Sequence, residues 1–226
     1  MQYPEIEAFF PVDDQYLIGS DLLVKPVTSP NVVESVVKFP SRDSWYDVET
    51  LLQVSDSGER HSFVERTVPS DINQIPVFQR GGSIIARKLR LRRSSQLMKK
   101  DPYTLFIALG NLKAAEGQLY MDDEETFLHE SKKEYADASF SADFLGENGI
   151  IRNAVSLGSG WTASGESMAG ERMIERIVVM GIETNPSRIS VDGEAVEFTY
   201  DPGSKLLILR KPAVSALLDW DIDVAF

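Results

Sequence analysis

Four consecutive acidic side chains, Asp122, Asp123, Glu124 and Glu125, form a compact cluster of ionisable groups. Carboxylate oxygens are the ligands that hard cations such as Ca²⁺ prefer, but a calcium loop spaces its ligands at alternate positions, since consecutive side chains diverge. We therefore interpret the cluster as a polar turn, with metal binding as the alternative. The sequence predicts no metal site and no cofactor.

The many other carboxylates raise the question of glycosidase chemistry, which needs two acids about 5 Å or about 6.5–9.5 Å apart. The chain carries 35 Asp and Glu residues, so a pair can be drawn on paper. Spacing along a sequence does not reveal which two acids approach each other. We nominate no catalytic residue in this chain and leave the substrate-binding residues unassigned.

Two glycine-containing motifs suggest other chemistries. Residues 158–163, Gly-Ser-Gly-Trp-Thr-Ala, match a relaxed dinucleotide fingerprint, but no βαβ pattern surrounds them. Residues 165–170 are one residue too long for a nucleophile elbow around Ser167, and the only histidines available as bases are His61 and His129. We interpret residues 158–170 as one loop and the histidines as surface or turn residues.

A basic stretch at residues 87–100 stands out in an acidic chain. Its alternation with Leu89 and Leu91 predicts a half-buried strand with one basic face. A surface that docks an acidic partner or another part of the same protein, or an address signal, are the alternatives. The basic residues are Arg87, Lys88, Arg90, Arg92, Arg93, Lys99 and Lys100.

Composition narrows the class of protein. The 226 residues are 42% hydrophobic and 26% charged, which is typical of globular domains, and this length suits two of them. The net charge of −12 argues against a nucleic-acid partner. The absence of cysteine excludes disulfides and thiolate sites. The chain contains no apolar run of about 18 residues, so the sequence predicts no membrane span. The first seven residues do not resemble a signal peptide, so we expect a targeting segment, if any, upstream.

Short apolar or alternating runs separated by turn residues recur along the chain and predict antiparallel sheets. A continuous apolar run at 103–109 is typical of a buried sandwich strand, and residues 117–121 are predicted as its neighbour. Turns are predicted at Gly81-Gly82, Asn148-Gly149, Asp192-Gly193 and Asp201-Pro202-Gly203. We place a domain boundary near Asp101-Pro102 and predict an all-β fold of two consecutive antiparallel β-sandwich domains.

Several of these segments, in this order, resemble the end of a family 31 glycoside hydrolase. Relatives in that family usually carry glycine where this chain has Glu124. The resemblance covers nearly the whole chain and is weakest over 131–170. It rests on Phe9-Phe10-Pro11, residues 13–27, Trp45-Tyr46-Asp47, residues 75–85 and residues 119–127.

The resemblance implies a domain plan. Family members carry a catalytic (β/α)8 barrel followed by a proximal and a distal β-sandwich, with both catalytic aspartates on the barrel. Residues 1–20 would then be the tail end of the barrel and its last loop, residues 21–100 the proximal sandwich and residues 101–226 the distal one. The chain alone is expected to be inactive and to stabilise and frame the barrel, with indirect substrate contact most plausible in the first twenty residues.

Within the family, residues 90–95, Asp101-Pro102, residues 105–109 and residues 174–179 resemble the glucosidase II group. This resemblance implies a retaining α-glucosidase that removes α-1,3-linked glucose from N-linked glycans in the endoplasmic reticulum lumen. Its implied partners are the upstream barrel part of the same subunit, a non-catalytic β subunit and the glucosylated N-glycan.

A rival hypothesis is an independent carbohydrate-binding or protein-interaction module of β-sandwich type. Exposed aromatic rings on a sheet face would form its sugar platform. Trp45, Trp161 and Trp220 are the tryptophans that such a platform could use. A tryptophan at strand spacing is more often part of the core, which is the interpretation we prefer.

Overall fold

The protein is described from a computed structural model that covers residues 2–56, 58–59, 61–161 and 172–226. The described residues contain two 3₁₀ turns, Glu7–Phe9 and Ser95–Met98, and one short helix, α1, at Leu128–Ser131. All other regular structure in these residues is strand. The strands are β1 Tyr16–Ile18, β2 Leu22–Val24, β3 Glu34–Pro40, β4 Trp45–Asp47, β5 Gln53–Ser55, β6 Phe63–Pro69, β7 Val77–Arg80, β8 Ser83–Arg87, β9 Tyr103–Ala108, β10 Ala114–Met121, β11 Ala136–Asp143, β12 Asn148–Leu157, β13 Met173–Met180, β14 Arg188–Val191, β15 Glu194–Ala195, β16 Phe198–Asp201, β17 Leu206–Ser215 and β18 Trp220–Ala225.

The chain forms two compact units. The first consists of Met1–Ser83 with Ala108–Leu112, and the second consists of Ile84–Ile107 with Lys113–Phe226. Both units are built from antiparallel strands, which confirms the predicted all-β fold class.

In the first unit, a five-stranded sheet and a two-stranded sheet enclose one core. The larger sheet has the order β1-β2-β7-β4-β5, and the smaller one pairs β3 with β6. Phe39 of β3 meets Phe78 of β7 edge-on, with ring centroids 4.8 Å apart. These aromatic contacts hold the two layers together, because large rings remove much apolar area from water.

Trp45 lies in the same core. It is fully buried, and its indole Nε1 donates to the backbone oxygen of Pro40 at 3.2 Å, so the polar end of the ring is satisfied. Tyr3 and Ile6 also belong to this core. The first residues of the chain are therefore packed into the first unit. Their predicted assignment, within 1–20, to the tail of a barrel stays a prediction.

The second unit contains one sheet of eleven strands, in the order β15-β14-β18-β12-β11-β10-β8-β9-β13-β17-β16. In β11 and β18 buried residues alternate with exposed or half-buried ones, as expected where one face meets a core. Every residue of β9 is buried, which confirms the predicted buried strand. A twisted sheet this wide forms a compact unit by folding over its own apolar face.

The chain passes from one unit to the other after Ser83, after Ile107 and after Leu112, whereas the sequence predicted one boundary near Asp101-Pro102. The prediction followed the change in composition around the basic stretch. The units are instead set by strand pairing. Because β8 and β9 are neighbours in the second unit's sheet, the residues that connect them belong to that unit as well.

Two local predictions are wrong. Residues 117–121 belong to β10, whose neighbours in the sheet are β8 and β11, so they do not lie beside β9. Asn148 and Gly149 begin β12 and do not form the turn, which lies at residues 145–147. Gly149 is required for packing: a Cβ there would overlap the Phe144 ring. The Asp192-Gly193 turn is confirmed, with both residues at positive φ as a two-residue hairpin of type I′ demands.

No helix among the described residues is long and apolar enough to cross a membrane.

Phe78 provides a test of the first unit's core. Replacing this fully buried ring by alanine (Phe78→Ala) leaves a cavity beside Phe39 and should lower the free energy of unfolding by about 3–5 kcal/mol. Urea unfolding followed by near-ultraviolet circular dichroism measures the change. Phe10→Ala, at an exposed phenylalanine of the same unit, is the control and should cost under about 1 kcal/mol. A loss below about 1 kcal/mol for Phe78→Ala would contradict the packing described here.

Candidate functional site

The acidic cluster lies directly after β10, and its four side chains point to different partners. Asp122 Oδ1 accepts from the backbone N–H of Glu124 at 2.8 Å, and Glu125 forms an ion pair with Lys99 at 2.8 Å. Among the described residues, no group of three or more His, Asp and Glu side chains is arranged to hold a metal ion. The polar-turn interpretation therefore matches the geometry.

Glu124 adopts an unusual backbone conformation. Its φ is +57°, in the left-handed region where a side chain normally costs about 1 kcal/mol or more. Glycine suits such a position best, because it has no Cβ to be strained there. The side chain of Glu124 compensates here by accepting a hydrogen bond from Arg172 Nη1 at 2.7 Å.

Arg172 is the centre of this cluster. Only 2% of its surface is exposed. Its Nη1 also lies 3.3 Å from the Tyr103 hydroxyl, and its Nη2 donates to the backbone oxygen of Asp122 at 2.9 Å. One guanidinium thus ties the acidic turn to β9 and to the start of β13.

Lys88 completes the cluster, which we call the Arg172 cluster: Lys88, Tyr103, Asp122, Glu124 and Arg172. Lys88 Nζ lies 3.6 Å from Glu124 Oε1 and 4.9 Å from the centroid of the Tyr103 ring. Burial lowers the pKa of Lys88, and Glu124 opposes that effect. Burial would raise the pKa of Glu124, but the hydrogen bond from Arg172 and the charge of Lys88 outweigh it and lower that pKa.

The neighbouring turn also stabilises the ionised form of Asp123. Its carboxylate accepts from the backbone and hydroxyl of Thr126 and from the backbone N–H of Glu125. These hydrogen bonds, led by that from the Thr126 hydroxyl, lower the pKa of Asp123 to about 2. A general acid needs the opposite shift, since it must hold its proton near neutral pH.

The basic stretch does not form the predicted strand. Residues 88–94 lie outside any strand, and Leu91 is 99% exposed. The cations are used one by one: Arg92 forms a bidentate pair with Asp101 at 2.6 and 2.9 Å, and Arg90 lies 2.9 Å from Glu175. Alternation misled the prediction because these side chains form ion pairs with individual carboxylates of the second unit. The backbone of residues 88–94 is not paired with a neighbouring strand.

The remaining sequence motifs do not form a site. Gly158 follows β12, and a Cβ there would overlap the backbone oxygen of Lys133, so close packing explains this glycine without a nucleotide. Residues 162–171, which hold the rest of both glycine motifs including Ser167, lie outside the described residues. His61 is an exposed turn residue of the first unit, and His129 Nδ1 lies 3.3 Å from the backbone oxygen of Thr126.

The tryptophans were candidates for a sugar platform, and two of them are core residues. Trp45 is fully buried in the first unit. Trp220 is buried in the second, where its Nε1 donates to the backbone oxygen of Ser215 at 2.9 Å. This confirms the core interpretation for both. Trp161 is half-buried at the edge of the described residues.

The structure reveals an aromatic row that the sequence analysis missed. Tyr120 of β10 stacks on Tyr135 and meets His129 edge-on, and His129 lies beside Phe127. The alternation of more and less exposed residues along β10 could have indicated that Tyr120 faces solvent. The other three rings belong to the connection between β10 and β11, where no periodic pattern marks exposed residues.

A cleft of about 360 Å³ lies in the first unit and is lined mainly by residues from the first 24 positions. Tyr3, Phe9, Leu17 and Leu23 supply its apolar wall. Near it, Phe10 and two residues of the edge strand β1, Tyr16 and Ile18, expose large apolar side chains. This region is where the sequence analysis expected indirect contact with substrate.

Arg172→Lys tests the importance of the guanidinium fork. Lysine cannot reach Glu124, Tyr103 and the Asp122 backbone together, so we expect the free energy of unfolding to fall by about 1–3 kcal/mol. Urea unfolding followed by circular dichroism measures the loss. Arg210→Lys, at an exposed arginine of β17, is the matched control and should change stability little. Equal stability of the two variants would show that the cluster contributes nothing.

Asp123 provides a prediction about pH. Its folded pKa lies below the ordinary 3.8, so the ionised turn stabilises the fold fully above about pH 4 and loses that contribution as the pH falls through about 2. Carboxyl chemical shifts measured by NMR should titrate with a midpoint near pH 2. Thr126→Val removes the hydroxyl donor and should raise the midpoint. Asp201, whose pKa is lowered by Ser204 instead, should not respond. An unchanged Asp123 midpoint in Thr126→Val would rule out the hydroxyl as the cause.

Comparison with known proteins gives a consistent assignment. Residues 1–85 match the family model of the glycosyl hydrolase family 31 C-terminal domain. Neutral alpha-glucosidase AB of Mus musculus is 35% identical over 98% of this chain and 22% of its own length. The Dictyostelium discoideum protein of the same name is 37% identical over the same shares.

Comparison of the fold with solved structures gives the same group of proteins. The chain superposes on the structure of an ER glucosidase II heterodimeric complex, made of the catalytic subunit and the binding domain of the regulatory subunit, with a TM-score of 0.79 at 29% identity. The match covers 98% of this chain and 24% of that one. The chain spans 22% of the length of the curated relatives it matches. The chain is therefore similar, over nearly its whole length, to the C-terminal part of family 31 glycoside hydrolases of the glucosidase II type.

Proposed function

We propose that this chain frames and stabilises the catalytic barrel of a retaining α-glucosidase of the glucosidase II type and carries no catalytic carboxylate itself. The observation that carries the proposal is electrostatic. Every carboxyl whose pKa clearly departs from its ordinary value, among the described residues, has a lowered pKa. A lowered pKa suits an ion pair or a turn, whereas a general acid needs a raised one. These carboxyls are Asp101, Asp123, Glu124, Glu183 and Asp201.

The geometry of the acids supports the same proposal. Retaining hydrolysis needs a nucleophile and an acid/base about 5 Å apart, the second with a raised pKa. The acids of the Arg172 cluster and its turn are each paired with a cation or with backbone N–H groups. In the proposed enzyme both catalytic acids lie on a (β/α)8 barrel outside this chain, and residues 1–20 form its tail end and last loop, followed by the proximal and distal sandwiches.

The exposed apolar side chains of the first unit are the proposed contact with that barrel. Tyr16 and Ile18 lie on β1, an edge strand that has no neighbour on one side among the described residues, and Phe10 is an exposed residue after the turn Glu7–Phe9. Edge strands and large exposed side chains are normally covered in a native protein. Burying them would stabilise the junction and hold the loops around the active site in place.

The substrate, partner and compartment follow from the relatives. The whole enzyme would remove α-1,3-linked glucose from N-linked glycans in the endoplasmic reticulum lumen, with a non-catalytic β subunit as partner. The likeness to the structure of the ER glucosidase II heterodimeric complex and the 35% identity to neutral alpha-glucosidase AB support these assignments. The independent carbohydrate-binding or interaction module remains the second candidate, and the aromatic row favours it.

Reconstitution separates the two candidates. We expect the purified chain to leave a chromogenic α-glucoside intact, and hydrolysis to appear only when the chain co-elutes by size with the upstream polypeptide of the same protein. Ile18→Asp places a charge in the proposed contact and should abolish both co-elution and activity, since an unpaired charge is costly to bury. Ile72→Asp, at a residue of the first unit that is 98% exposed, is the matched control and should preserve both.

Two outcomes would contradict the proposal. Turnover by the chain alone would place catalytic acids within it. Full activity of the upstream polypeptide without the chain would remove the framing role and favour the independent module. Circular dichroism of both variants confirms that each remains folded.

A further inference from the structure

The aromatic row of the second unit consists of Tyr120, Phe127, His129 and Tyr135. The rings of Tyr120 and Tyr135 stack with centroids 5.6 Å apart at an interplanar angle of 25°. Tyr120 meets His129 at 6.3 Å, and His129 meets Phe127 at 6.0 Å. The row is open to solvent, because Tyr120 is 48% and Phe127 is 77% exposed.

The row is held by the fold. Tyr120 lies on β10, which pairs along its whole length with β11. The backbone oxygen of Tyr135 accepts from Gly158 N–H at 2.9 Å, and the missing side chain of Gly158 lets the chain pass close to the Tyr135 ring. His129 Nδ1 is 3.6 Å from Asp122 Oδ2. Rings positioned in advance lose little conformational entropy when a ligand binds.

Carboxylates surround the row. Asp122 and Glu130 lie 3.6 and 3.9 Å from the ring nitrogens of His129. Desolvation, followed by the nearby charges of Asp122, Asp137 and Glu130, raises the pKa of the Tyr120 phenol. Asp137 lies directly opposite Tyr120 across the β10–β11 pair, and Glu130 is exposed. The row thus combines flat π faces with carboxyl hydrogen-bond acceptors at its rim.

This combination matches one class of ligand. The ring of a neutral sugar presents C–H groups that suit the negative face of an aromatic ring, and hydroxyls that donate to carboxylates. The acidic rim repels nucleic acid. The centre of a protein–protein interface is depleted of Asp and Glu, whereas here they border the rings directly.

We propose that the aromatic row binds a neutral oligosaccharide, by stacking on Tyr120 and Phe127 with hydroxyls donated to Asp122, Asp137 or Glu130. The proposed site lies wholly within the second unit. It is independent of the framing role, because no residue of the row belongs to the proposed barrel contact.

NMR titration of the chain tests the site with two probes, maltoheptaose and a free high-mannose oligosaccharide. We expect saturable shifts at the row, with a dissociation constant on the order of 1 mM, for at least one probe. Tyr120→Ala and Phe127→Ala should each weaken binding about tenfold, while Tyr120→Phe keeps the ring and should bind within about threefold of the original chain.

Phe226→Ala is the control, because Phe226 is an exposed aromatic residue of the second unit that lies outside the row. It should bind both sugars as the original chain does. No saturable shift with either sugar, shifts centred elsewhere, or binding unchanged in Tyr120→Ala would overturn the proposal. In the reconstitution assay Tyr120→Ala should still restore hydrolysis of the small chromogenic substrate, so failure of the sugar site and failure of the framing role give different results.

Discussion

A guanidinium that is almost fully removed from water must find hydrogen-bond acceptors within the protein, because an unpaired buried charge would cost several kcal/mol. Arg172 meets this requirement at Nη1 and Nη2, with the Glu124 carboxylate, the Asp122 backbone and the Tyr103 hydroxyl, while its buried Nε has no hydrogen-bond partner among the described residues. The requirement explains why Glu124 occupies a backbone conformation that favours glycine. The turn after β10, the partners of Lys88 and the entry into β13 all depend on satisfying this one side chain.

The same electrostatics bears on function. A chain with 35 acidic residues offers many pairs of carboxylates, but those of the second unit are mostly committed to arginines, lysines and backbone N–H groups. Groups that stabilise an ionised acid make it a poor proton donor. Under the proposed function this division is sensible, since the acids that must change protonation state during hydrolysis belong to another domain and those of this chain maintain structure.

Much of the fold could be predicted from the sequence. The apolar run at β9 and the Asp192-Gly193 hairpin are local patterns whose physical cause lies within a few residues, so both were predicted correctly. The leucines of the basic stretch failed, because a strand also needs a neighbour with free backbone groups, and the sequence does not show one. The aromatic row and the role of Arg172 were not predictable for a similar reason. Each brings together residues whose contact depends on strand order: Arg172 meets Tyr103 across 69 positions of the chain.

Residues Ala108–Leu112 belong to the first unit, although the chain on both sides of them belongs to the second. Within the first unit, Leu109 accepts a hydrogen bond from the Tyr46 hydroxyl and Asn111 contacts Ser44. During synthesis the first 83 residues therefore cannot complete their unit when they leave the ribosome. They wait for a short segment that arrives only after β8 and β9 have been made. A single cut between the units therefore cannot yield two fragments that each contain a whole unit.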